Sequence, residues 1–268
     1  MNDRLTWALT KTTDASSKVI HEHSSAPADS EARSDMGERV GSVCELWRYP
    51  VKSFRGEQLE EIQLDARGVT GDRLFALRDA KGKFGSGKTT RRFRLLRDLF
   101  DFSAETDGDA VVVHTPGGDR LRVGDAGLDA LLSARYGEPL AVLPEEAVSH
   151  FDAGPVHVLT TSSLEWVATG YERTGGDARR YRPNIVLDTP RNAERVEEAW
   201  LGASLSIGSC VLEVTEKVER CVMPNLHQDG LPRAPGLLRF LVERNETMLG
   251  AEELNLTMCS PEVQVLTE

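Results

Sequence analysis

Cys210-Val211-Leu212-Glu213-Val214-Thr215, followed closely by Glu219-Arg220-Cys221-Val222-Met223-Pro224, is the stretch from which the rest of the chain is read. The first six residues run as a β-strand. Pro224 to Gly236 carries Pro, Asn and Gly and reads as a loop. One cysteine therefore stands where a strand ends and the backbone turns, with an arginine beside it. A neighbouring guanidinium favours the thiolate form of a thiol. That form attacks electrophiles and ligates soft metals. The plainer alternative is a packed cysteine at a strand end, since free cysteine is among the most buried residue types.

The 268 residues suffice for one large or two modest domains with a real core. Hydrophobic residues make up 40% and charged residues 28%, a soluble globular composition. A formal net charge of -11 and a pI near 5.1 argue against a nucleic-acid or membrane-surface binder. None of the four cysteines, Cys44, Cys210, Cys221 and Cys259, forms a C-x-x-C pair, which argues against structural zinc. No apolar run reaches bilayer length, and no secretory signal is recognisable. Reduced thiols and a cytoplasmic location are the expectation.

Residues 1–39 read as a disordered polar tail that includes His21-Glu22-His23, with Trp7 and Leu9 its only hints of structure. Met36 is a candidate start. From residue 40 to 137, short strands follow one another closely: Val40 to Tyr49, Leu59 to Leu64, Gly71 to Asp79, Phe102 to Glu105, Ala110 to His114 and Arg120 to Val123. Such spacing predicts a β-barrel-like module, closed by a helix over Asp125 to Tyr136. Residues 138–268 form a second unit. It has strands at Val156 to Leu159, Arg182 to Asp188, Leu205 to Ile207 and Cys210 to Thr215, a hydroxyl-capped helix ending near Thr169, and a helix over Leu237 to Arg244. The fold class is a β-rich mixture of α and β.

Gly82-Lys83-Phe84-Gly85-Ser86-Gly87-Lys88-Thr89 matches the phosphate-loop pattern G-x-x-x-x-G-K-[ST]. That motif needs an apolar strand before it and a helix after it. The preceding strand is bounded by charges, and Thr90-Arg91-Arg92-Phe93-Arg94 follows. A glycine-lysine hairpin bordering an anion site is the better reading than a nucleotide hydrolase.

Cations and hydroxyls recur at element ends: Lys52-Ser53, Arg73, Ser162-Ser163, Arg182-Pro183-Asn184 and Arg220-Cys221. Such groups hold phosphate and polar heterocycles. Taken singly, each is better read as a solvated charge, a plain cap or a surface residue before proline.

Trp47-Arg48-Tyr49-Pro50-Val51-Lys52-Ser53, Gly71-Asp72-Arg73, Pro155 to Thr160, Arg182 to Val186 and Arg220-Cys221 together resemble the MOSC family, from about residue 41 onward. The resemblance implies an N-terminal β-barrel domain over 40–137 packed on a MOSC domain over 138–268. It implies a molybdenum-molybdopterin cofactor with Cys221 as metal ligand and catalytic residue. Lys52, Ser53, Arg73, Ser162, Ser163, Arg182, Asn184 and Arg220 are its implied cofactor contacts. The implied activity is reduction of a small N-hydroxylated or N-oxide substrate, with electrons from an external ferredoxin-, flavin- or haem-type protein. A non-catalytic cofactor or sulfur carrier is the alternative. The family has also been linked to pyridoxal phosphate, but no lysine here stands in a context that argues for a Schiff base. Glu219, before Arg220, departs from the family's usual small residue, and Met223-Pro224 replaces a hydroxyl-bearing pair.

Overall fold

The computed structural model describes residues 7–10, 39–192, 194–246 and 253–258. Its strands in chain order are β1 (Trp7–Thr10), β2 (Ser42–Arg48), β3 (Val51–Lys52), β4 (Glu57–Leu59), β5 (Glu61–Asp65), β6 (Gly68–Val69), β7 (Phe75–Asp79), β8 (Phe84–Ser86) and β9 (Phe93–Leu95). There follow β10 (Ser103–Asp107), β11 (Ala110–His114), β12 (Arg120–Arg122), helix α1 (Ala126–Tyr136), β13 (Leu140–Pro144), β14 (Val156–Thr160), helix α2 (Thr161–Gly170) and β15 (Ile185–Asp188). The chain continues with β16 (Ser204–Ile207), β17 (Cys210–Val218), helix α3 (Leu237–Glu246) and β18 (Glu253–Met258). The architecture is β-rich and mixed, as the strand spacing predicts. Among the described residues no helix is long and apolar enough to cross a membrane.

Seven strands form the largest sheet, in the order β16-β17-β18-β14-β15-β2-β4. Only β14 and β15 run parallel within it. Every residue of β14, Val-His-Val-Leu-Thr, is buried, which suits a strand covered on both faces. β5 shows the other regime: Ile62 and Leu64 are buried while Glu61 and Gln63 face solvent. The core of this sheet gathers Leu46, Leu64, Val156, Ile185, Leu212 and Val214. A second core joins Phe54, Leu77 and Phe102 to Leu128 and Leu132 of α1. That helix stops at Gly137, whose φ of 71° is the left-handed conformation glycine adopts without steric cost.

The two units are interleaved. β2 lies in the large sheet beside β15, with Ile185 opposite Leu46, although it belongs to the first unit in sequence. β13, just past the expected boundary at residue 137, pairs in the opposite sense with β7 of the first unit. Within the expected tail, Trp7–Thr10 is a strand antiparallel to β5, so this part is ordered by pairing rather than a disordered tail. Residues 1–6 and 11–38, including His21, His23 and Met36, lie outside the described residues. So does Cys259, although Glu253–Met258 just before it pairs with β17.

Candidate functional site

β17 extends three residues beyond the expected strand, to Val218, and delivers Glu219, Arg220 and Cys221 to the rim of a cavity of about 160 Å³. Lys52 arrives on β3, which runs parallel to β7. Ser53, Arg73, Arg182, Arg220 and Cys221 join Lys52 in lining the cavity, so six of the nine expected site residues converge. The other three do not line it. Ser162 is buried with its Oγ 2.7 Å from the main-chain oxygen of Glu194. The Ser163 amide donates to Thr160 Oγ1 at 3.1 Å, making Thr160 the cap of α2. Asn184 splices strands instead: its Oδ1 accepts from the His157 amide at 3.1 Å and its Nδ2 donates to the Trp47 oxygen at 3.3 Å.

Among the described non-glycine residues, Ser53 (φ 68°), Arg73 (φ 50°), Arg182 (φ 58°) and Asp98 (φ 59°) adopt positive φ. Three of the four line the cavity. A left-handed side-chain-bearing residue costs about 1–2 kcal/mol and persists only where its surroundings dictate it. Here they do. The Arg73 amide donates to the Tyr49 oxygen at 2.7 Å, and its guanidinium pairs with the fully buried Asp72 carboxylate. The Arg73 oxygen accepts from Arg67 Nη2 at 3.2 Å, and the Arg182 oxygen accepts from Arg73 Nη2 at 3.2 Å.

Two buried histidines complete the frame in the same manner. His157 Nε2 lies 2.8 Å from Arg220 Nη2, and His150 Nε2 lies 2.8 Å from Arg78 Nη2. A guanidinium can only donate, so each Nε2 accepts and each ring proton sits on Nδ1. From there His157 donates to the Arg182 oxygen (3.3 Å) and His150 to the Arg73 oxygen (2.8 Å). Both rings are held neutral. Burial, then the Arg220 charge, puts His157 well below the usual histidine range. Burial, seconded by the Arg78 charge, takes His150 down to about 4.

Lys52 is 5% exposed, and burial draws its pKa down to about 8, with Asp152 opposing the fall. Its Nζ donates to the His150 oxygen at 2.6 Å and meets Asp152 at 2.9 Å. Burial likewise lowers Arg182 and Arg220 to about 10. Arg220 also donates to the Tyr181 oxygen at 3.1 Å and lies 5.2 Å from that ring's centre.

The glycine-lysine segment does border this site. Ser86 and Lys88 line the cavity, and Ser86 Oγ approaches Met223 Sδ at 3.8 Å. The segment runs on into β9, parallel to β8, without a helix. Gly87 serves packing: a Cβ there would stand 2.7 Å from Leu226 Cδ1 and 3.1 Å from Met223 Sδ.

Arg180 carries weight that no motif announced. It is fully buried and donates to four main-chain oxygens: Thr174 (2.7 Å), Pro224 (3.0 Å), Leu226 (3.3 Å) and Pro232 (2.7 Å). It thereby gathers the loop that follows Cys221. His157, Asp152 and Tyr181 also line the cavity without having been singled out. The available signal was the density of arginine at Arg179-Arg180-Tyr181-Arg182.

A thiol, buried cations and left-handed backbone gather around one cavity, and the fold around it supplies the class. The chain belongs to the MOSC domain family: residues 40–133 match the MOSC N-terminal beta barrel domain and residues 145–260 match the MOSC domain. Mitochondrial amidoxime-reducing component 1 of Mus musculus is 25% identical over 234 residues, which span 72% of this chain and 67% of that protein. Its Homo sapiens counterpart is 23% identical over 234 residues, spanning 72% and 68%. A crystal structure of the YUAD protein from Bacillus subtilis aligns with a TM-score of 0.41 and 13% identity, over 82% of this chain and 88% of that one. The family assignment does not rest on that last likeness.

Proposed function

We propose that this protein binds a molybdenum-molybdopterin cofactor in the Cys221 cavity and reduces small N-hydroxylated or N-oxide compounds. The observation that carries the reading is the gathering of Lys52, Arg73, Lys88, Arg182 and Arg220 with the Cys221 thiol around one cavity of an otherwise acidic chain. The donor set fits the group. Cationic side chains suit a phosphate and the heteroatoms of a pterin, and a thiolate suits a soft metal. Among the described residues no three His, Cys, Asp or Glu side chains cluster to hold a bare ion, and Cys221 is the one thiol lining the cavity. When bound, the cofactor would supply two-electron chemistry.

The chain's own residues would orient and hold. Cys221 would ligate the metal, while Lys52 and the arginines would neutralise the anionic part of the cofactor. His157, neutral and tied to Arg220 and Arg182, would keep those two in register. Similarity to proteins named amidoxime-reducing components supports the substrate class. Electrons would come from a separate ferredoxin-, flavin- or haem-type protein, since the sequence carries no haem or flavin motif.

Molybdenum and pterin content, measured on wild type and Cys221→Ala purified from a cofactor-competent host, tests this. Near-stoichiometric metal in wild type, lost in the variant, is the expected result. Pterin retained in both, with no turnover of N-hydroxylated substrates, would assign a carrier instead. Neither metal nor pterin in wild type would overturn the reading.

A further inference from the structure

A second cavity, of about 230 Å³, lies behind Tyr49 and shares only Arg182 with the first. Four of its lining side chains hold buried polar atoms that find no hydrogen-bond partner among the described residues: Tyr49 Oη, Arg55 Nε, Arg182 Nη2 and Gln228 Nε2. Tyr49 is 2% exposed and Gln228 3%. Leaving one such group buried and unsatisfied costs about 1–3 kcal/mol, and four on one cavity is a cost that a ligand would remove.

All four atoms carry a hydrogen they can donate. Of the three arginines in the lining, Arg182 alone has no carboxylate partner among the described residues. Arg179 is satisfied by Asp177 at 2.8 Å, and Arg55 Nη1 by Asp229 at 2.8 Å. Arg182 lies 4.1 Å from the Tyr49 ring centre and gives Nη1 to the Phe54 oxygen. Asp229 is the one carboxylate of the lining, and it is mostly exposed.

We propose that this cavity is a second ligand site, separate from the Cys221 cavity, that takes a small acceptor-only anion: a carboxylate or an inorganic oxyanion. A single water needs about 15 Å³ of comparable space, so a polyatomic anion has room. The site does not depend on the cofactor proposed for the first cavity.

Isothermal titration of the full chain with acetate, and separately with inorganic phosphate, at ionic strength held constant with chloride, tests the proposal. The variants are Gln228→Leu and Arg55→Lys, which keeps the charge facing Asp229 but removes Nε; Lys52→Met disables the first cavity. Saturable binding is expected in wild type and in Lys52→Met, and in the Lys52→Met background it is weakened about tenfold by either second-cavity variant. The Arg55→Lys arm stands if Gln228→Leu does not fold. A response to acetate alone assigns an organic carboxylate; a response to phosphate alone assigns an inorganic oxyanion; either supports the site. Binding lost in Lys52→Met yet unchanged in Arg55→Lys and Gln228→Leu, or no saturable binding of either anion, would overturn it.

Discussion

Arg73 Nη2 donates to the main-chain oxygen of Arg182 at 3.2 Å, joining two left-handed arginines that lie 109 residues apart in sequence. Each is also held by a neutral histidine and faces the same tyrosine ring, with centroid distances of 5.1 Å for Arg73 and 4.1 Å for Arg182. The cavity wall is therefore one hydrogen-bonded frame built from both units.

Cutting that frame at Arg73 should expose its internal electrostatics. Arg73→Met leaves the fully buried Asp72 carboxylate without its cation. An uncompensated buried charge costs about 3 kcal/mol or more. Urea unfolding should show a loss of that order, and adding Asp72→Asn should recover part of it. Additive losses would show that the pair is not coupled.

Arg180→Met should cost about 3 kcal/mol as well, because four main-chain oxygens lose their shared donor in a buried place. Hydrogen exchange should quicken in the loop from Pro224 to Pro232 while α1 keeps its protection. Uniform loss of protection would assign Arg180 a global role instead.

Acid sensitivity should begin above the carboxylate range. His150 has a folded pKa near 4 against 6.5 when unfolded, so between those values the unfolded chain binds more protons and stability falls as pH falls. The full shift corresponds to about 3 kcal/mol. His157 is lowered in the same direction and adds to the slope. Glu145, drawn to about 2 chiefly by Arg67, loses its contribution lower, from pH 4.5 to 2. Chemical denaturation from pH 7 to 4 should show this slope, and His150→Gln should reduce it.

Lys52 governs the alkaline side. With its folded pKa lowered to about 8 from 10.5, stability should rise as pH goes from 8 to 10.5, where the unfolded chain alone retains the proton. Anion binding in the Cys221 cavity should weaken through the same region as the ammonium is lost. Lys52→Met should remove both effects in parallel pH titrations of stability and phosphate affinity.

Alternating and largely apolar runs set strands such as Ile62–Leu64 and Val156–Leu159, and hydroxyls marked the start of α2. Those signals are local, so the sequence by itself determined the β-rich class, most of the elements, the cysteine at a strand's end and the family. It did not disclose that β2 and β13 each pair across the two units, because pairing partners depend on distant chain. Nor did it separate the six residues that line the Cys221 cavity from Ser162, Ser163 and Asn184, which bear the same chemistry at similar positions. Only tertiary structure decided that, along with the buried role of Arg180 and the donors left waiting around Gln228. A side chain's burial and partners are set by what the fold brings against it, and for these residues most of the partners lie tens of residues away.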